Sequence, residues 1–105
     1  MHVEISTDNT INGSEALSAE LTAAIRHELA HFEAHVTRVE AHFQDTNAGK
    51  SGPEDIECTL EVRLKGQQPV ISKDASDTVE KAAKGAATKM KALLTTTLGK
   101  LSDRR

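Results

Sequence analysis

The sequence contains no tryptophan and no tyrosine, and only two phenylalanines, Phe32 and Phe43. Single-stranded nucleic acid is read largely by stacking bases on exposed aromatic rings, so that mode of recognition is disfavoured here. The single cysteine, Cys58, excludes an internal disulfide. No apolar stretch approaches the roughly 20 residues that a membrane span needs. The N-terminus has no basic flank leading into an apolar run. Paired-cysteine metal sites, a nucleophile elbow and a phosphate-binding glycine loop are also missing. The expectation is a cytoplasmic protein with a free thiol. Its 105 residues suit one domain with a single core, in which most of the apolar side chains must be buried.

Positive charge is present but unevenly placed. From Lys73 to the C-terminus there are eight Lys and Arg against four Asp and Glu, although the whole chain carries a net charge of −3. Between Lys81 and Ser102 there are five lysines and no carboxylate. A chain that is acidic overall, with its positive charge gathered on one element, directs one face at a polyanion.

Hydrophobic spacing predicts six elements. Val3 and Ile5 flank Glu4 in a short first strand, followed by turn-forming residues at Asp8-Asn9-Thr10 and Asn12-Gly13-Ser14. Ser14 is placed to cap a helix in which Leu17, Leu21, Ile25, Leu29 and Phe32 recur every three or four residues, ending near His31 to Glu33. Thr37, Val39, Ala41 and Phe43 then alternate with Arg38, Glu40 and His42, the pattern of a strand with one wet face. After a loop from Asp45 to Pro53 comes the clearest strand. Ile56, Cys58, Leu60, Val62 and Leu64 point inward, and Glu57, Thr59, Glu61 and Arg63 point outward. Gly66 and Gln67 suit a tight hairpin into Val70 and Ile71, with Pro69 marking that strand as an edge.

The last helix is expected to open at the capping cluster Asp74, Ser76 and Asp77 and to run to about Leu98, burying Val79, Ala83, Ala86, Met90, Leu93 and Leu94. At 3.6 residues per turn, Lys81, Lys84 and Lys91 fall on the opposite side within about 80° of one another, with Thr88 and Thr95 between them and Lys89 on the other flank. Gly85 lies mid-helix at a propensity cost of about 1 kcal/mol, which suggests a close contact there. The fold class is α+β, in the order β-α-β-β-β-α. The crossover makes the first two strands parallel, and the hairpins make the others antiparallel. Because each strand has one apolar face, both helices must pack on the same face of a four-stranded sheet. The other face, with Glu4, Arg38, Glu40, His42, Glu57, Glu61 and Arg63, is left to solvent and cross-strand pairing, or to a partner.

One motif points toward catalysis. His27-Glu28-Leu29-Ala30-His31 matches H-E-x-x-H, in which two histidines one helical turn apart bind zinc and the glutamate activates its water. If Leu21, Ile25, Leu29 and Phe32 face the core, however, His27 and His31 lie on the exposed side of the helix, away from any cleft. Ala34 and Thr37 stand where the extended motif has its glycine and third histidine. The expectation is a solvated polar face, with no catalytic residue and no metal or other cofactor.

Three stretches carry a family resemblance through their order and spacing: His35-Val-Thr-Arg-Val-Glu-Ala-His-Phe, Cys58-Thr-Leu-Glu-Val-Arg-Leu, and Asp77-Thr-Val-Glu-Lys-Ala-Ala-Lys-Gly-Ala-Ala-Thr-Lys-Met-Lys. With them the chain, from His2 to about Leu101, resembles the ribosome hibernation promoting factor and ribosome-associated inhibitor family. The resemblance implies the same β-α-β-β-β-α fold and a non-enzymatic stress factor. Such a factor occupies the small ribosomal subunit near the mRNA and tRNA sites and inhibits translation. It also implies the short form, a single domain over residues 1–101 with a short polar tail at 102–105. Lys81, Lys84, Lys89 and Lys91 fall where family members present basic residues to ribosomal RNA, with Arg26 on the first helix as a supplement. The first helix departs from the family in its acidity, through Glu15, Glu20, Glu28 and Glu33. Two other readings are a protein-interaction or stress-signalling module docking through the open sheet face, and a zinc hydrolase built on His27, Glu28 and His31.

Overall fold

The computed structural model describes residues 1–8, 14–45 and 56–102, with side chains through Lys100. The expected turns at Asn9-Thr10 and Asn12-Gly13 and most of the loop between the second and third strands lie outside the described residues. The elements are β1 (His2–Thr7), α1 (Glu15–Leu29) continued by a 3-10 turn (Ala30–Phe32), β2 (Val36–Asp45), β3 (Ile56–Leu64), β4 (Val70–Ser76) and α2 (Val79–Ser102). The sheet order is β1-β2-β3-β4. β1 is parallel to β2, and the other two pairings are antiparallel. The fold is thus the α+β arrangement that the spacing predicts, with β4 at an edge.

Local chemistry explains the boundaries of α1. The Ser14 hydroxyl accepts from the Leu17 N–H at 3.0 Å, satisfying one of the donors that a helix N-terminus leaves unpaired. Leu21, Ile25, Leu29 and Phe32 are buried as their spacing requires. In β3, Cys58, Leu60, Val62 and Leu64 are buried, and Cys58, Leu60 and Val62 pair with Phe43, Ala41 and Val39 on β2. Gly66 closes the β3–β4 hairpin with φ +68°, a left-handed conformation that a Cβ disfavours.

Three details differ from the expected pattern. The ladder shifts between Val36 and Arg38, so Val36 and Val39 both enter the core, and Thr37, expected to face inward, is exposed. Its hydroxyl donates to the Arg63 carbonyl at 3.1 Å. A one-residue bulge of this kind resets the alternation that a strand's periodicity otherwise imposes.

The second difference concerns the start of α2. Asp74 and Ser76 are strand residues, paired with Cys58 and Ile56. The cap is Thr78, whose hydroxyl accepts from the Lys81 N–H at 3.1 Å. Ladder pairing with Ile56 to Val62 of β3 extends β4 past the point where local capping signals begin.

The third difference is the buried stripe of α2. Leu93 is 41% exposed, whereas Ala82 and Ala87, not expected in the stripe, are buried. Ser72 donates its hydroxyl to the Ala86 carbonyl at 2.8 Å, which places this turn of the helix over the strand. Leu93 lies on the same flank of α2 as Ala86, and β4 begins two residues before Ser72, a distance of about 7 Å or between four and five helical residues, so the strand stops short of Leu93, whereas Leu94, 100° further round toward the α1 side, stays buried.

Gly85 has a direct explanation. The Asp74 carboxylate fills the space where a Cβ would stand, and an alanine methyl there would also lie 3.1 Å from Asp74 Cβ. Asp74 is held in place by Lys89, whose ammonium group donates to its carboxylate at 3.0 Å and to the Lys73 carbonyl at 3.0 Å.

Two predictions follow from this packing. Glycine to alanine in a helix normally stabilises by about 1 kcal/mol. At position 85 it should instead lower the thermal midpoint, because Asp74 must swing away and release Lys89. In an Asp74→Gly background, which removes both the carboxylate and the Cβ, the same change should raise the midpoint, and equal stabilisation in both backgrounds would contradict the contact. Cys58 is fully buried, and burial, reinforced by the charges of Asp74 and Glu57, pushes its thiol up to about 12. It should therefore react slowly with thiol reagents until denaturant is added. The unfolded thiol loses its proton first, so Cys58's contribution to stability should fall as pH rises from about 9 toward 12. Rapid labelling of the native protein would place β3 one residue out of register.

Candidate nucleic-acid interface

Burial of Ala82, Ala83, Ala86, Ala87, Met90 and Leu94 turns the opposite side of α2 to solvent. Lys81, Lys84 and Lys91 are exposed there, together with Thr88 and Thr95. Three of the four lysines expected to bind RNA hold carboxylates contributed from outside α2. Lys81 pairs with Asp77 at 3.3 Å, just ahead of the helix. That hydrogen bond and the lysine's charge hold the Asp77 carboxyl below its ordinary range. Lys91 reaches across to Glu28 of α1 at 3.3 Å. Lys89, on the flank, is engaged by Asp74 and the Lys73 carbonyl. Only Lys84 of the four makes no ion pair among the described residues.

Lys84 stands over a groove between the helices with a volume of about 270 Å³. Ala24 and Ile25 of α1 and Ala83 and Ala87 of α2 line its apolar part, and His27, Glu28, Glu80 and Lys84 its polar part. Arg26 is exposed but does not join the lysines. At 100° per residue it lies about 160° around α1 from Ala24 and Glu28, the residues that face α2.

The histidines of the H-E-x-x-H motif are both exposed, as is His35. Glu28 between them is half-buried and is occupied by Lys91. Among the described residues, no three histidine, cysteine or carboxylate side chains are grouped so as to hold a metal ion. The motif's real structural role had no signal in the helical periodicity, because which flank of α1 meets α2 is a property of their packing.

The open sheet face satisfies its own charges. Arg38 pairs with Glu4 on the neighbouring strand at 2.7 Å and with Glu40 on its own strand at 3.4 Å, and Arg63 pairs with Glu61 at 3.3 Å. Gln44 donates to Glu57 at 3.3 Å. At one end, a shallow hollow of about 350 Å³ is crossed by Ser6, His42, Thr59 and Lys73, one residue from each strand. No helix among the described residues is long and apolar enough to cross a membrane.

Solved structures share this fold. A ribosomal subunit interface protein from Coxiella burnetii superposes with a TM-score of 0.73 at 18% identity, covering 94% of this chain and 99% of its own. The N-terminal domain of Protein Y from Thermus thermophilus superposes with a TM-score of 0.66 at 12% identity, covering 92% and 99% respectively. No protein-family profile matches the sequence, and no curated protein matches it significantly.

The exposed histidines lead to a direct test. The purified protein should carry far less than one equivalent of zinc by metal analysis. His27→Ala with His31→Ala should leave stability within about 0.5 kcal/mol of wild type, as for other surface changes. Near-equimolar zinc that disappears in the double variant would restore the hydrolase reading.

Proposed function

We propose that this protein is a cytoplasmic, non-enzymatic ribosome-associated factor of the hibernation promoting factor and ribosome-associated inhibitor family. It occupies the small ribosomal subunit and inhibits translation under stress. The observation that carries this reading is a coincidence. The chain shares its fold, over almost its whole length, with a protein described as a ribosomal subunit interface protein. Independently, α2 carries five lysines and, after Glu80 in its first turn, no carboxylate, on a chain that is acidic overall.

In this reading the lysines contact phosphates of ribosomal RNA. Such contacts position a protein but carry no sequence information, so selectivity rests on the fit between the helical layer and the folded RNA. Inhibition then needs no chemistry: a protein seated where mRNA and tRNA must lie excludes them. Lys84 is the most available cation, whereas Lys81, Lys89 and Lys91 must exchange a carboxylate for a phosphate. The paired charges of the open sheet face give no comparable reason to assign the partner to that side.

Replacing Lys81, Lys84 and Lys91 together with Glu should abolish co-sedimentation with small ribosomal subunits. Each lost phosphate contact removes roughly one unit of salt-dependence slope, and each new carboxylate adds repulsion. The fold should survive, because exposed ion pairs contribute only about 0–1 kcal/mol each. Lys65→Glu, in the exposed hairpin, is the control and should pellet as wild type does. Pelleting of the folded triple variant at the control level would move the binding surface to the open sheet.

A further inference from the structure

The ion pairs of α2 are not equivalent. Asp77 and Lys81 are neighbours along the chain and both well exposed, so water and salt weaken their attraction. Asp74 is fixed over Gly85, and Lys89 also holds a backbone carbonyl, which commits that pair to seating the helix. The pair between Glu28 and Lys91 joins the two helices across the groove. Its carboxylate is only 24% exposed and lines the same groove as Lys84.

We infer that Glu28 is an affinity-setting residue, an internal competitor that occupies Lys91 and that a polyanion's phosphate must displace. This rests on the reading of the α2 face as a phosphate-binding surface. When a free lysine neutralises a phosphate, the cation condensed on the nucleic acid is released. When Lys91 leaves Glu28 for a phosphate, Glu28 regains an unpaired charge and attracts a cation in turn. Lys91 therefore adds almost nothing to the salt dependence in the native protein. The glutamate of the H-E-x-x-H motif thus acts as a counter-charge between two helices.

The test compares wild type, Glu28→Gln and Glu20→Gln, each with Lys91 intact and with Lys91→Ala. The probes are small ribosomal subunits and, separately, a short RNA duplex at several salt concentrations. Glu20 is exposed on α1 and makes no ion pair among the described residues, so its variant reports the effect of net charge alone. Glu28→Gln should bind both probes about two- to fivefold tighter at low salt, the release of one ion pair of moderate strength. The slope of log affinity against log salt should steepen by up to about 0.9. Glu20→Gln should change affinity less than about twofold, since it releases no pair. With Lys91→Ala the gain from Glu28→Gln should vanish, as a double-mutant cycle requires of a pair that acts as one unit. A Glu28→Gln protein that binds no tighter than Glu20→Gln, or a gain that persists without Lys91, overturns the inference. A Lys91-dependent gain on the duplex without any binding to ribosomal subunits would uphold it and defeat the ribosomal reading instead.

Discussion

The close approach of α2 to the sheet constrains everything else. The layer between helix and strands is made of small side chains, Ala82, Ala83, Ala86 and Ala87, with Met90 and Leu94 further along. A helix packed this closely has little freedom to rotate. Two polar contacts fix the rotation further: the Ser72 hydroxyl donates to the Ala86 carbonyl, and the Asp74 carboxylate stands over Gly85. A buried hydroxyl with its partner in place costs little, whereas the same hydroxyl left unpaired would cost roughly 1–3 kcal/mol. Once the rotation is set, the outward direction of Lys81, Lys84 and Lys91 is set with it.

The same rotation determines how much of that positive charge is available. The candidate interface is a set of cations already partnered by carboxylates from β4, the β4–α2 turn and α1, with Lys84 as the exception among the four. On the proposed function such a surface is moderated, since every phosphate contact except that of Lys84 must exceed an existing intramolecular one. The acidity of α1, which read as a departure from a simple basic surface, becomes part of the device through Glu28. On the sheet's open face, by contrast, both arginines are paired with glutamates across and along the strands.

Most of the architecture was legible because periodicity reports which face is buried. The helical spacing of Leu21, Ile25 and Leu29 and the alternation through Cys58, Leu60 and Val62 have only one reading each. The departures share one cause: tertiary pairing overrode a local signal. Thr37 left the core because a bulge resets the alternation, and Asp74 and Ser76 were drawn from a capping role into a ladder by β3. Leu93 is exposed because the strand beneath α2 begins too late to cover it. At the candidate interface, the lysines' common face was visible in the sequence. Their partners were not, because Glu28 and Lys91 are 63 residues apart. Nor could the wheel of one helix show that Arg26 faces away from the other.

The central claim, a salt-sensitive seat on the small ribosomal subunit, is tested most directly by sedimenting the wild-type protein with purified small and large subunits at two salt concentrations. The wild-type protein should pellet with small subunits at low salt, raising the salt should release most of it, and large subunits should carry down little at either concentration. Absence from the small-subunit pellet at low salt, or pelleting that is indifferent to salt, would contradict that claim.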